Sequence, residues 1–219
     1  MAEAYIVSAT RTAGGRRDGR LKGWHPADMA GEVLKSVISK ANADPARVDD
    51  VIMGCVGQAG EQAGNIARNA VLAAGMPESV PATSVDRQCG SSQQALHFAA
   101  QAVMSGFMDC VIASGVESMT RVPMGLPMSL PVKNGFGFYV SPHMKERYPD
   151  VQFSQFAGAE MMAKKYGLTK DELDQYGFRS HEKAIAATQA GDFDDEILGL
   201  EVELEDGTKE VHKVDEGIR

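Results

Sequence analysis

Short β-rich runs alternate with longer helical segments through the first half of the sequence, and this alternation limits the possible folds more than any other feature. The strand-like runs occupy residues 4–8, 51–56, 82–85 and 110–114. Between the first two lies HPADMAGEVLKSVISKANA, where Pro26 suits a first helical turn and apolar residues recur at helical spacing. Because strands joined by such crossover helices pair in parallel, the sequence predicts an α/β fold.

Two further helices are predicted between the later strands. One covers residues 65–74, and Gly75 stands just past its end, where glycine commonly terminates a helix. The other starts soon after Cys89 and runs to Gly106. Small residues together with Phe98 form one face of this helix, which can pack closely on a sheet or on a copy of itself. We therefore expect this helix to be buried.

The second half has a different composition. Residues 118–149 are rich in glycine, proline and methionine and show no clean period, so a long loop excursion is predicted. Helical patterns return at FAGAEMMAKKYG and LTKDELDQYGFRSHEKAIAATQAG, where Thr169 and Glu172 have the spacing of a capping box. Apolar and polar residues then alternate around Asp206-Gly207, which predicts a β-hairpin.

Charge and cysteine content exclude several classes of function. Acidic residues outnumber basic ones by 30 to 22, so the formal charge of −8 does not attract nucleic acid or an anionic membrane. The first residues lack the apolar stretch of a signal peptide, and no run approaches a membrane span, so we expect a cytoplasmic protein. Three widely spaced cysteines without a CxxC pair argue against a disulfide framework and against a zinc site, so no metal is expected.

Cys89 is the residue best placed for chemistry. It lies in VPATSVDRQCGSSQQALHFAAQAVMSG, where a predicted strand runs through a sharp turn into a helix. Such an elbow exposes the side chain, and the helix N-terminus stabilises a thiolate and offers N–H donors to an oxyanion. The alternative is that Cys89 is a small buried apolar side chain, as free cysteines often are. For Cys55 and Cys110, which lie in apolar strand-like runs, burial is the favoured interpretation.

None of the five histidines is expected to act as the base that a cysteine nucleophile generally needs. His97 lies about two turns into the helix after Cys89 and cannot easily reach back to the thiol. The other four lie at a helix start, in the irregular stretch or among charged residues: His25, His143, His181 and His212. A surface or hydrogen-bonded position is expected for all five.

Several stretches resemble the thiolase family. VDRQCGSSQQAL is similar to its nucleophile motif, GVESMTRVPM to the block that follows, and AYIVSATRTAGGRRDGRLKG to its first strand and loop. The likeness continues through NIARNAVLAAG and GDFDDEI to VDEGIR and covers essentially the whole chain. It implies the thiolase-like layered αβαβα fold, of which this chain supplies the first α/β half and an inserted loop domain. Residues 1–118 would form the N-terminal core, and residues 119–219 the loop domain that binds coenzyme A.

The resemblance also implies an activity. Thiolases transfer an acyl group between coenzyme A and an acetyl-CoA unit, by thiolytic cleavage of 3-ketoacyl-CoA or by the reverse Claisen condensation. Cys89 would carry the acyl group as a thioester. Acyl-CoA and coenzyme A would be the substrates, without any further cofactor, and the complete enzyme would be a homodimer or a homotetramer.

The family's other catalytic groups belong to its second half. A histidine that activates the thiol, a second cysteine that handles the acetyl proton and an asparagine that positions a water lie there in GHP-, CxGGG- and NEA-type motifs. None of these motifs occurs in the 219 residues. We therefore expect a truncated, split or proteolysed part of a longer enzyme, with its loop domain incomplete at the C-terminus and with no activity alone.

Two positions bear on substrate binding. Arg219 matches an arginine that contacts the nucleotide part of coenzyme A in relatives. Ser154-Gln155 falls near where acetoacetyl-specific relatives have a His-Met pair, so a bulkier substrate is favoured. HPADMAGEVL and RQCGSSQQALHFAAQ resemble thiolases of fatty-acid or steroid side-chain degradation.

Two alternatives remain open from the sequence. One is a non-catalytic thiolase-like fragment that binds acyl-CoA or a partner chain, because the activating histidine and the second cysteine are missing from these residues. The other is a condensing enzyme of the ketoacyl synthase type, which also places a cysteine at a helix start. The VDRQCGSSQQAL and GVESMTR blocks fit thiolases better.

Overall fold

The computed structural model describes residues 3–151 and 153–219. The strands are β1 Arg11–Thr12, β2 Asp50–Gly54, β3 Ala82–Val85, β4 Val111–Gly115, β5 Ile197–Leu198, β6 Leu200–Glu203 and β7 Lys209–His212. The α-helices are α1 Pro26–Ala41, α2 Ile66–Ala73, α3 Ser91–Met104, α4 Leu126–Lys133, α5 Pro142–Arg147, α6 Gln155–Tyr166 and α7 Lys170–Ala190. Short 3₁₀ turns cover Arg20–Gly23, Pro45–Arg47 and Gly60–Gln62.

Three strands form a parallel sheet in the order β3, β2 and β4. Val51 on β2 pairs with Ala82 on one side and with Ile112 on the other. The central strand reads as a nearly continuous apolar run because parallel strands are covered on both faces. These three strands confirm the sequence prediction, and the parallel pairing confirms the α/β class.

Helices α1 and α2 cover one face of this sheet. Pro26 is the first residue of α1, as predicted, and Asn65 caps α2 by accepting a hydrogen bond from the Arg68 N–H at 3.3 Å. Gly75 has a φ of +69° just after α2, which suits a residue without Cβ. The main core cluster lies between these helices and the sheet and includes Leu34, Val51, Ile66, Ala70 and Val71.

The strand predicted at residues 4–8 does not form. Tyr5, Ile6 and Val7 are 76%, 75% and 81% exposed, and strand pairing begins further on, where Arg11 pairs with Ile197. A strand requires the hydrogen-bond ladder of a neighbour, and this apolar run lies instead along a groove of about 510 Å³ that β4 also lines. A β-rich run alone therefore misled the prediction.

Helix α3 is half-buried, which corrects the prediction of a buried helix. Ala95 and Ala99 pack against Ile52 of the sheet in a second, smaller core cluster. Phe98, which the sequence placed on the same face, is 40% exposed. Only one side of α3 meets the sheet, so the small residues approach it closely and the bulky ones remain near solvent.

The residues predicted as a structureless excursion contain two short helices, α4 and α5. Ser141 caps α5 by accepting a hydrogen bond from the Met144 N–H at 3.2 Å. The predicted helix pair is confirmed as α6 and α7, separated by Gly167 with a φ of +64°. The predicted capping box is also confirmed, because Thr169 and Glu172 exchange hydrogen bonds at the start of α7.

The predicted hairpin is confirmed as β6 and β7, in which Leu200 pairs with His212. Gly207, with a φ of +81°, forms part of its turn. The chain after the hairpin is tied to β1 by Asp215, which accepts hydrogen bonds from Arg11 Nη1 at 2.7 Å and Nη2 at 3.1 Å. The Gly14 N–H donates to the same carboxylate.

Two compact units share the described chain. The first contains residues 3–129 and 194–217, and the second contains residues 130–151, 153–193 and 218–219. The domain boundary expected at residues 118 and 119 is not tested by this division and stays a prediction. In the part of the chain that the structure describes, no helix is both long and apolar enough to cross a bilayer.

Candidate active site

Cys89 lies in the turn between β3 and α3 and is exposed. The chain reverses there through Gln88, which has a φ of +48°, a left-handed conformation that is uncommon for residues other than glycine. Gly90 is the N-cap of α3, so no side chain caps the helix at that position. The strand-to-helix elbow predicted from the sequence is therefore present, with the thiol at its outer end.

The hydroxyl of Ser91 ties the two sides of this turn together. Its Oγ accepts a hydrogen bond from the Arg87 N–H at 3.0 Å and donates one to the Gln88 carbonyl oxygen at 2.6 Å. Ser91 is 4% exposed, so water has little access to these bonds. A further bond at 2.7 Å joins the Gln88 N–H to a carboxylate oxygen of Asp86.

The first turn of α3 rests directly on the carboxyl ends of β2 and β4. A Cβ atom at Gly54 would lie 2.7 Å from the Cα of Ser92, and one at Gly115 would lie 3.0 Å from the Ser92 Cβ and overlap its Oγ. Side chains at either glycine are thus incompatible with this close approach. In open α/β sheets, ligands bind at this end of the strands.

A buried network connects the loops that follow β2 and β4. Gln62 is fully buried, and its amide nitrogen donates to Glu117 at 2.9 Å and to the Gly57 carbonyl at 2.8 Å. Glu117 also accepts the Val56 N–H at 2.8 Å, and the side-chain oxygen Oε1 of Gln62 accepts the Ser118 N–H at 2.7 Å. Sequence reasoning did not identify this network, because no local pattern links residues so far apart in the chain.

The other two cysteines have different environments. Cys55 is buried, and burial raises the pKa of its thiol to about 12, with a further contribution from the negative charge of Glu117. This confirms the predicted burial of Cys55. Cys110 is only partly buried, and its N–H donates to a carboxylate oxygen of Asp49 at 3.0 Å. Among the three thiols, Cys89 is therefore the exposed one.

Three histidines occupy the positions expected of them. His25 is the N-cap of α1, where its Nδ1 accepts the Ala27 N–H at 3.2 Å. His97 is exposed on α3, and His143 is exposed beside Glu146, with 3.5 Å between His143 Nδ1 and the carboxylate. Among the described residues, none of these three histidines forms a hydrogen bond with the thiol of Cys89.

The remaining two histidines lie near the end of the chain. His181 Nδ1 accepts the backbone N–H of the exposed Arg219 at 3.3 Å. His212 corrects the sequence prediction, since it is 2% exposed and its Nε2 finds no hydrogen-bond partner among the described residues. It lies in the first unit on β7, opposite the buried Leu200 of β6, and this pairing places it on the buried face of the hairpin.

The fold and this site together define an α/β domain with an exposed cysteine on a tight turn, at the start of a helix that rests on a parallel sheet. A family model described as "Thiolase, N-terminal domain" matches residues 4–219. The chain belongs to the thiolase family, and this match confirms the resemblance found in its motifs.

Individual relatives agree with this assignment. The chain is 47% identical over 221 residues to a steroid 3-ketoacyl-CoA thiolase of Mycobacterium tuberculosis, covering 100% of this chain and 53% of the relative. It is 39% identical over 221 residues to a 3-ketoacyl-CoA thiolase of Pseudoalteromonas translucida, covering 100% of this chain and 54% of that relative. The crystal structure of the Bacillus anthracis acetyl-CoA acetyltransferase matches with a TM-score of 0.84 at 30% identity, covering 100% of this chain and 56% of that one.

These matches confirm the thiolase-like α/β fold. They also show that the chain spans about half the length of the curated relatives it matches.

Proposed function

We propose that Cys89 is the acyl-accepting nucleophile of a thiolase that cleaves 3-ketoacyl-CoA with coenzyme A. The observation that carries this proposal is the exposed Cys89 thiol on an elbow fixed above the strand ends of a parallel sheet. A helix N-terminus beside the thiol provides N–H donors for an oxyanion. Membership of the thiolase family and the likeness to 3-ketoacyl-CoA thiolases support the same chemistry.

In the proposed reaction, the Cys89 sulfur attacks the 3-keto carbon of the substrate. The bond between C2 and C3 then breaks, and its electron pair takes up a proton at C2 to give acetyl-CoA. The shortened acyl group remains on Cys89 as a thioester. The sulfur of coenzyme A attacks this thioester, displaces the cysteine thiolate and leaves as acyl-CoA. As the resemblance implies, groups in the family's second half move the protons.

We propose a substrate from fatty-acid or steroid side-chain degradation. The M. tuberculosis relative is named for a steroid substrate, and Ser154 is the N-cap of α6, with Gln155 as that helix's first residue, in place of a His-Met pair. Arg219 is proposed to contact the nucleotide part of coenzyme A, and its exposed position leaves its side chain accessible. The active form is proposed to be a cytoplasmic homodimer or homotetramer that needs no metal or further cofactor.

The 219 residues alone are proposed to lack useful activity. Nucleophile, base and proton-transfer group act as a unit, so loss of partners commonly costs several orders of magnitude in rate. The GHP- and CxGGG-type motifs are not among these residues. The same observation favours a second candidate function, a non-catalytic fragment that binds acyl-CoA or another chain.

Thiolysis assays distinguish the two functions. The chain is assayed with 3-ketoacyl-CoA and coenzyme A, alone and together with the unmatched half of the M. tuberculosis relative supplied as a second polypeptide. We expect turnover in the assembled protein, its loss in Cys89→Ser and its retention in Cys110→Ser. Turnover by the chain alone would contradict its proposed inactivity. Equal effects of the two substitutions would contradict the role of Cys89.

A further inference from the structure

The turn that carries Cys89 has an unfavourable backbone conformation that something must stabilise. Gln88 is left-handed although it has a side chain, and such a conformation persists where surrounding contacts fix it. Because the N-cap of α3 is Gly90, the usual side-chain cap is missing at that position. The contacts that fix the turn must come from elsewhere.

The buried Ser91 hydroxyl provides two of these contacts, beside the bond from the Gln88 N–H to Asp86. It bonds to Arg87 and to Gln88, the two residues that precede Cys89, as an acceptor at 3.0 Å and as a donor at 2.6 Å. At 4% exposure, Ser91 leaves little room for water to replace either bond. Loss of the hydroxyl would therefore leave the Arg87 N–H without its acceptor and release the left-handed turn.

The first turn of α3, which carries the Ser91 hydroxyl, is held in place by the sheet. Ser91 is followed by Ser92, whose backbone approaches Gly54 so closely that a Cβ on the glycine would lie 2.7 Å from the Ser92 Cα. Gly115 fits equally closely against the Ser92 side chain. The first turn of α3 cannot shift toward the sheet, so Ser91 ties the turn that carries Cys89 to a helix end whose position the sheet fixes.

We propose that Ser91 is a positioning residue for Cys89, acting through the backbone of Arg87 and Gln88 to hold the thiol in line with the N-terminus of α3. The inference rests on the proposed role of Cys89 as nucleophile. A thiol held in one orientation reacts faster with an electrophile than a thiol in a loosened turn, because its approach geometry is set in advance.

Brief iodoacetamide labelling of the 219-residue chain, read by peptide mass mapping, tests the proposal. The readout is the rate at Cys89 divided by the rate at Cys110, with Cys55 as a reporter of global opening. We expect Ser91→Ala to lower this ratio about tenfold, which corresponds to one or two net hydrogen bonds. The matched control is Ser105→Ala, which removes the bond from Ser105 Oγ to the Ala102 carbonyl at the other end of α3 and should leave the ratio unchanged.

A pair of variants with the same shape separates positioning from packing. Ser91→Thr keeps the hydroxyl and Ser91→Val removes it, so we expect the ratio to be higher in the threonine variant by about the same tenfold factor. This comparison remains valid if Ser91→Ala opens the fold and labels Cys55. Equal ratios in the threonine and valine variants, or a ratio that rises when the hydroxyl is removed, would overturn the proposal.

Failure of the proposed function gives a different result. If Cys89 is positioned by Ser91 but is not the nucleophile, the labelling ratio still falls in Ser91→Val while no acyl thioester forms on Cys89 in the assembled wild-type protein. If Cys89 is the nucleophile and Ser91 has no positioning role, the thioester forms and the labelling ratio is the same in both variants.

Discussion

The two units of this chain are stabilised in different ways. In the first unit, apolar side chains such as Leu34, Val51 and Ile66 are completely buried between helices and the sheet. In the second unit, α5, α6 and α7 have no buried residue, although caps define their ends. Core packing therefore fixes the surface on which Cys89 stands, whereas local signals specify the helices of the second unit.

The largest expected effect on the free energy of unfolding comes from shortening a side chain in the main core cluster of the first unit. Leu34 is fully buried on α1, so Leu34→Ala should lower the free energy of unfolding by about 3 kcal/mol through lost burial and a new cavity. Phe178→Ala on α7 is the matched control, because that larger side chain is exposed and its loss should cost less than about 0.5 kcal/mol. Urea unfolding of both variants measures the contrast, and similar losses would show that the second unit has a core of its own.

The contact between α3 and the sheet should give the next largest effect. Gly115→Ala places a Cβ against Ser92, and such overpacking should cost about 1–3 kcal/mol. Because the overlap is with the Ser92 side chain, Ser92→Gly should remove most of this cost. A double-mutant cycle in urea measures the coupling. Additive effects of the two substitutions would contradict the close contact that the structure shows.

In the second unit, loss of a helix cap should lower the free energy of unfolding more than loss of any single apolar contact. Thr169→Ala removes the capping box of α7 and should cost about 1 kcal/mol. Thr188→Ala serves as the control near the other end of the helix, where the hydroxyl bonds only to the Ala184 carbonyl. Circular dichroism during thermal unfolding should separate the two, and an unchanged transition for Thr169→Ala would show that packing and not capping holds α7.

The smallest expected effect is electrostatic and lies in the first unit. Hydrogen bonds from Arg11 hold the pKa of Asp215 below its ordinary value despite partial burial. The unfolded state therefore takes up a proton first as the pH falls. The stabilisation is fully present above the ordinary aspartate pKa of about 3.9 and is lost below it.

Asp215→Asn should accordingly cost about 0.5 kcal/mol at pH 7, a magnitude typical of partly exposed ion pairs. The difference from wild type should shrink toward pH 3. Asp174→Asn is a suitable control, because its partner Lys170 and Asp174 itself are both well exposed on α7. A difference between Asp215→Asn and wild type that grows as the pH falls would contradict the assigned direction.

Local rules predicted the elements that need no distant partner. Pro26 at the start of α1, the Thr169 capping box and the Gly207 turn act within a few residues, and all three were found as expected. The elbow at Cys89 was also predicted, because a strand pattern followed by small residues and a helix is a local signal.

Features that depend on tertiary contacts were missed or predicted wrongly. The run at residues 4–8 has the β-rich composition of a strand but pairs with no neighbouring strand among the described residues. The bond between Gln62 and Glu117 joins loops that are far apart in the chain, and the role proposed for Ser91 depends on its burial. Neither distance in space nor burial can be read from a short stretch of sequence.

Mapping the residue that carries the acyl group is the most direct test of Cys89 as the nucleophile. The chain is assembled with the unmatched half of the M. tuberculosis relative, mixed with 3-ketoacyl-CoA in the absence of coenzyme A, quenched in acid and digested for peptide mass mapping. We expect a thioester on the peptide that contains Cys89, and none on the peptides of the buried Cys55 or the partly buried Cys110. Substrate cleavage with the acyl group on another residue, or with Cys89 still free, would contradict the role of Cys89 as the nucleophile.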